Sequence, residues 1–285
     1  MKSLKESLLD DEEKIIDKLD TKLLIEEWLK ENLEEGALSI KISDKPNKDG
    51  KYEVSSKKNI VYKKLIPLTS LTNNLFIWST VSGNFECIGC KSLKTLEGAP
   101  KKVGGYFYCT NCDPLTSLKG APKYVGGDFY CTFCNSLKTL EGAPKKVDGV
   151  FYCNYCGSLK TLEGAPEKVG KNFYCSNCPS LQTLKGAPKE IGGDFDCMGC
   201  PSLQTLKGAP KEIGGHFSCS YCNSLQTLEG APEKVGGDFS CSYCNSLQTL
   251  EGAPKKVEGD FNCCRCNSLQ TLEGAPKEIG GDFYS

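Results

Sequence analysis

The chain has 285 residues with 19 cysteines, 30 glycines and 2 methionines, and its 35 basic against 36 acidic residues leave a formal charge of -1. Near-neutrality excludes the strong single-sign field that draws proteins to nucleic acid or membrane surfaces, and the single histidine, His216, removes most catalytic triads and histidine-based metal sites. No run of about 18 apolar residues occurs, and the start MKSLKESLLDDEEK carries acids where a secretory signal carries its apolar stretch, so a cytoplasmic protein with reduced thiols and no membrane partner is expected.

Residues 4–35 read as two acidic helices. Leu8, Leu9, Ile15, Ile16 and Leu19 give a broken apolar face, and Asp20 can cap a second helix in which Leu24, Ile25, Trp28, Leu29 and Leu33 recur at three- and four-residue steps up to Gly36. Leu38, Ile40 and Ile42 then alternate, KPNKDG turns the chain, and Tyr52 and Val54 alternate again, which predicts a β-hairpin. Ile60 to Trp78 reads as an irregular first coil of the repeat region. The expected division is acidic N-terminal helices over 1–36, a hairpin and capping coil over 37–80, and repeats over 81–285. Residues 1–80 either cap the apolar end of the repeats or form a separate partner-binding or dimerising domain.

From residue 81 the sequence matches itself at a shift of 22. Phe85, Phe107, Phe129, Phe151, Phe173, Phe195, Phe217, Phe239, Phe261 and Phe283 mark the units, and the first nine are each followed by a Cys-x-x-Cys; only Cys264 is out of register. Two leucines (Leu115 and Leu118 in one unit), Gly-Ala-Pro and a Val or Ile complete each repeat. Phe and the first Cys lie two apart and share one face of a short strand, while Gly-Gly and Gly-Ala-Pro supply turns. Burying one Phe, two Leu and one Val yields at most roughly 8–10 kcal/mol, whereas ordering each of 22 residues costs roughly 1–2 kcal/mol, so a lone unit cannot fold and the units must stack. The chain stops at GGDFYS within a tenth strand, so either Phe283 frays or a second copy continues the sheet end to end as a homodimer.

The spacing Pro-x-x-Val-x-x-x-Phe-x-Cys-x-x-Cys-x-x-Leu-x-x-Leu resembles a leucine-rich repeat over residues 81–285, with Pro122, Val125, Leu115 and Leu118 matching short proline-bearing bacterial repeats. Cys112 and its equivalents stand where that family places Asn or Cys. Phenylalanine replaces the usual strand leucine, and no Asn ladder is visible. Similar units look like those of uncharacterised bacterial and bacteriophage repeat proteins. The resemblance implies an α+β fold: a leucine-rich-repeat-like solenoid with one parallel β-sheet, nine full repeats and a partial tenth strand, preceded by a small helical and β-hairpin N-terminal cap.

Nine Cys-x-x-Cys pairs invite a metal or redox reading. Stacked coils place like sulfurs about 4.8 Å apart, whereas zinc bonds of about 2.3 Å bring sulfurs nearer 3.8 Å, so the thiols are expected to be structural, with no metal and no cofactor. A catalytic thiol lacks an activating base, and no phosphate-binding loop or dinucleotide fingerprint is present, so no enzyme is expected. Lys101, Lys102, Lys145, Lys146, Lys255 and Lys256 form an edge that glutamates interrupt, which disfavours a nucleic-acid-contacting scaffold. What varies between units is the outward strand positions. Tyr108, Tyr130, Tyr152 and Tyr174 form a stripe; Phe133, Tyr155, Tyr221 and Tyr243 add rings beside it; Asp128, Asp194, Asp238 and Asp260 form an acidic row. Aromatics on a rigid sheet give large contact area at low entropy cost, so this face is expected to occupy or bridge a partner protein surface sterically, without catalysis. A bacteriophage-encoded inhibitor of a host defence complex fits that shape.

Overall fold

The computed structural model describes the backbone of residues 4–63 and 68–285, and side chains from residue 17 onward within those spans. One continuous helix, α1 (Leu4–Asn32), stands where two were expected. No glycine or proline interrupts residues 18–24, and beside Asp20 the Thr21 hydroxyl donates to the Asp17 carbonyl at 2.8 Å, so the helical ladder wins over a cap. Leu8, Leu9, Ile15 and Ile16 lie outside the described side chains. Ile25 and Leu29 are buried, Trp28 meets Phe76 edge-on at 5.4 Å, and Leu24 is exposed together with Leu19 and Leu23. Leu33–Glu35 pairs antiparallel with Ile60–Tyr62, so the chain passes from helix directly into the first coil.

The hairpin is present: Ile40–Ile42 pairs antiparallel with Tyr52–Ser56, which pairs parallel with Phe76–Val81. Beyond it the chain is a parallel β-solenoid with a 22-residue period. The phenylalanine strands stack in register, Phe85 on Phe107 on Phe129, in a 12-stranded sheet whose first member is Leu33–Glu35. Their rings form one column from Phe85 to Phe283, buried as far as Phe261, with centroids 5.0–5.6 Å apart.

The expectation of one parallel sheet is corrected. The segments after each proline pair too, Val103 on Val125 on Val147, giving an 8-stranded and a 4-stranded sheet on a second side of the coil. The cause is geometric: proline delivers an extended segment with free N–H and C=O groups, and the next coil presents an identical segment one strand spacing away. Between the two sheets the Phe, Cys, Leu and Val or Ile of each internal coil are almost fully buried.

The second sheet breaks between Glu190–Ile191 and Glu212–Ile213. The bond from the Gly214 N–H to the Ile191 carbonyl, made at equivalent positions by Gly192 and Gly236, is missing there, and a cleft of about 760 Å³ opens between Lys168 and Gly214. This is the one junction of the Val/Ile column where isoleucine stacks on isoleucine, and the extra methylene on both sides wedges the coils apart. Ile213→Val is therefore expected to join the two sheets, raising hydrogen-exchange protection of the Gly214 amide about fivefold, as one regained hydrogen bond implies; unchanged protection counts against the wedge.

Candidate protein-binding face

The predicted face is the solvent side of the phenylalanine sheet. Tyr108, Tyr130, Tyr152 and Tyr174 are half-buried and form one continuous ring stack, with centroids 4.5, 4.5 and 5.1 Å apart. The in-register pairing of Phe129 with Phe151 and of Tyr130 with Tyr152 forces this, since alternation sends Phe inward and Tyr outward in every coil. Burial, helped by a hydrogen bond to Asp128, raises the Tyr130 phenol pKa, so this group stays a neutral donor to the Asp128 carboxylate at 3.1 Å. In the second half of the sheet the tyrosine column continues as Asp196, Ser218, Ser240 and Asn262, and Ser240 bonds Ser220 of the adjoining column at 2.8 Å, so the face changes from aromatic to polar along its length.

Phe133, Tyr155, Tyr221 and Tyr243 occupy a different environment from the tyrosine stripe. Each sits beyond the strand, at a left-handed turn residue with φ of 57° to 60°. In other coils that slot holds Asn111 and Asn177 at similar angles, or Gly89 and Gly199, residues for which this conformation is easy. The rings stack in two pairs, Phe133 on Tyr155 and Tyr221 on Tyr243, each with centroids 4.6 Å apart, and all four are 40–47% exposed. Asparagine at this slot satisfies the turn without strain, which offsets the lost ring contact. Tyr221→Asn is thus expected to leave unfolding stability within about 1 kcal/mol of the parent, as denaturant titration would read; a loss of several kcal/mol would make the ring a fold determinant.

Asp128 and Asp194 do more than colour the surface. The Asp128 Oδ1 accepts the Val150 N–H at 2.8 Å, one coil on, and Asp194 accepts the His216 N–H at 2.9 Å. Asn59, Asn84, Asn172, His216, Asp238 and Asp260 make the same bond to the next coil. Short acceptors in the slot before each Phe thus form a ladder of their own, interrupted at Tyr106 and Val150, while the position at which leucine-rich repeats place Asn holds the second cysteine of each pair. The sequence signal is that column of Asn, Asp and His, which by itself reads as surface charge. His216 belongs to this ladder, its Nδ1 accepting the Asp238 N–H at 2.8 Å, which leaves the ring proton on Nε2.

All nineteen cysteines are free thiols, and all but the half-buried Cys264 are buried. From Cys112 onward the second cysteine of each pair donates its S–H to the carbonyl of the first cysteine one coil earlier, as Cys134 does to Cys109 at 3.1 Å and Cys156 to Cys131 at 3.2 Å. Each thiol thus ties two coils together from inside. Among the described residues no group of three or more His, Cys, Asp or Glu converges as a metal-ligand set. Burial pushes Cys131 and Cys153 well above the ordinary thiol range, Cys134 up to about 12 and Cys178 up to about 11. A thiol whose folded pKa is raised keeps its proton in the fold, so its stabilisation is complete below about pH 9 and lost as pH climbs through about 11 to 12. Native protein at neutral pH should label with an aromatic disulfide reagent rapidly only at Cys264, more slowly at Cys266 of the last coil, whose bond to Cys241 lowers its thiol to about 7, and yield nineteen thiols after denaturation, with cooperative alkaline unfolding above about pH 9. Rapid labelling of the repeat cysteines in folded protein would contradict this.

The lysine edge is partly paired: Lys168 meets Glu190 at 2.6 Å and Lys255 meets Glu233 at 2.6 Å across coils, Lys146 meets Asp148 at 2.7 Å within one, and among the described residues Lys101, Lys102 and Lys145 form no ion pair. Such exposed pairs add little stability, about 0–1 kcal/mol each, but they dilute the field that a phosphate backbone would meet. Within the described residues no helix is long and apolar enough to cross a membrane. No protein-family model, curated protein or solved structure matches the chain.

Proposed function

We propose that this chain is a non-catalytic, leucine-rich-repeat-like solenoid that occupies or bridges the surface of another protein through its phenylalanine-sheet face. One observation carries this reading: the tyrosine stack from Tyr108 to Tyr174 is held in register by the stacked phenylalanine strands, whose own rings are buried, yet its rings stand on the solvent side. Rings fixed by their neighbours lose little rotamer freedom when a partner covers them, so their contact area converts to affinity with a small ordering cost. The leucine-rich-repeat kinship rests on the proline, valine and leucine spacing, and the second parallel sheet is a departure from the single sheet which that resemblance implied.

The simultaneous change of Tyr108, Tyr130, Tyr152 and Tyr174 to serine tests the reading. Proteins cross-linked to the parent chain in its native cell should be lost from the variant while its unfolding transition persists. Undiminished capture of every cross-linked protein would refute the assignment.

A further inference from the structure

The phenylalanine-sheet face is far more acidic than the chain. From the residue before each Phe to the slot before the second Cys, the ten strand segments carry Glu86, Asp128, Asp194, Asp196, Asp238, Asp260 and Asp282 against a single Arg265 and no lysine, in a chain of formal charge -1. No lysine or arginine among the described residues forms an ion pair with any of the six aspartates; the His216 ring approaches one of them, its Nδ1 3.2 Å from the Asp238 Oδ2. The ladder bonds of Asp128, Asp194, Asp238 and Asp260 use one carboxylate oxygen, and the donors that meet the second oxygen of Asp128 and Asp194, the Tyr130 hydroxyl and the Asn172 amide, are neutral, so these charges are not cancelled by a lysine or arginine.

Between the two exposed ring pairs lies a bay. Tyr221 stacks one face on Tyr243, and its other face looks along the column toward Gly199, which has no side chain. The next residue of the column, Asn177, leans into that space: its Oδ1 stands 2.5 Å from where a Cβ on Gly199 would lie, and no group among the described residues donates to it. Tyr221 and Asn177 stand two coils apart in the column, about 9.6 Å at the usual strand spacing, with only Gly199 between them, which leaves the Tyr221 ring face without a stacking partner on that side. Asp194, Asp196 and the exposed Met198 precede Gly199 on the same coil. Elsewhere in this column an asparagine oxygen does take a cation: the Asn111 Oδ1 accepts the Lys91 ammonium at 2.9 Å, which the Asp113 carboxylate also holds at 2.9 Å.

We infer that this face docks an arginine-presenting, cationic segment of a partner protein, one guanidinium entering the bay over Gly199 to stack on Tyr221 and donate to the Asn177 Oδ1. The inference rests on the protein-binding reading and names its partner chemistry. A flat cation fits each feature: the free ring face favours a planar positive group, the amide oxygen takes an N–H, and the aspartates supply the opposing field. A lysine ammonium satisfies the field but cannot stack. A phosphate-bearing ligand is repelled.

The test uses the full chain and two peptides, one alternating glycine with arginine and one glycine with lysine. Calorimetric titration should show the arginine peptide binding about three- to fivefold more tightly than the lysine peptide, the margin expected of an exposed cation–π contact. Both should weaken as NaCl rises from about 50 to about 300 mM. Amide shifts in the arginine titration should concentrate at 196–199 and 221. Tyr221→Asn should lower the arginine affinity to that of the lysine peptide while the chain stays folded. Equal affinity of the two peptides, indifference to Tyr221→Asn, or binding of neither peptide overturns the inference. If any of these occurs while cross-linked partners still depend on the Tyr108 to Tyr174 stack, only the partner chemistry falls and the binding reading stands.

Discussion

Gly164→Ala should cost about 3–5 kcal/mol of unfolding stability, whereas Gly50→Ala should cost only about 1 kcal/mol, although both glycines have positive φ, 90° and 74°. The shared term is the left-handed backbone, which any L side chain adopts at a penalty. The difference is what the new methyl group meets. At Gly50 there is nothing within 4 Å, while at Gly164 a Cβ would lie 2.3 Å from the Glu141 N and 2.5 Å from the Leu140 carbonyl carbon, both backbone atoms of the preceding coil. No rotamer change relieves a backbone clash, so the coils must separate, and the bond from the Leu140 N–H to the Glu163 carbonyl at 3.0 Å goes with them. Guanidinium titration of the two variants reads the contrast directly. Equal, small losses would mean that the coils stack more loosely than these distances imply.

Phe151→Ala is the second large effect. The ring is fully buried between Phe129 at 5.0 Å and Phe173 at 5.3 Å, in the middle of the column. Its truncation removes transfer free energy and leaves a cavity walled by rings that cannot collapse toward each other, because strand spacing holds them apart; about 3–5 kcal/mol is expected. In a stacked array each coil touches only its neighbours, so the loss also weakens the coupling between the two halves. The parent is expected to denature in one transition and the variant in two, with the tyrosine-rich N-terminal half and the serine-bearing C-terminal half melting apart. A single transition displaced by less than about 1.5 kcal/mol would argue that the column is not what couples the coils.

The ladders show how far residues alone carry the argument. The 22-residue period, the inward Phe and Cys and the outward Tyr follow from alternation and turn chemistry within one unit, and each is legible without coordinates. The Asp128 and Asp194 carboxylates are legible as surface charge but not as acceptors, because their donors, the Val150 and His216 N–H groups, sit one coil away. The ring positions divide in the same manner. Strand alternation places Tyr130 correctly, whereas it puts Tyr155 and Tyr221 on the same sheet surface although the chain has already entered a left-handed turn there. Aromatic residues are poor predictors of that turn; the Asn and Gly of the neighbouring coils are the readable clue.

At the N-terminus, Asp20 offers a cap that the folded chain does not use, since helical bonds through residues 18–24 are available at no conformational cost. At the seam, Ile191 and Ile213 look interchangeable with the valines of their column, and only stacking one on the other shows the excess volume that parts the sheet. What the amino-acid order determined by itself is everything whose cause lies inside one 22-residue unit: the existence of the coil, its buried side chains and its displayed rings. What the tertiary structure alone decided is everything made between units: the second sheet, the carboxylate and thiol ladders, the seam and the bay over Gly199. Those depend on atoms brought to hydrogen-bonding or van der Waals distance by stacking, and such interactions fade within a few ångströms while the residues concerned lie 22 or more positions apart along the chain.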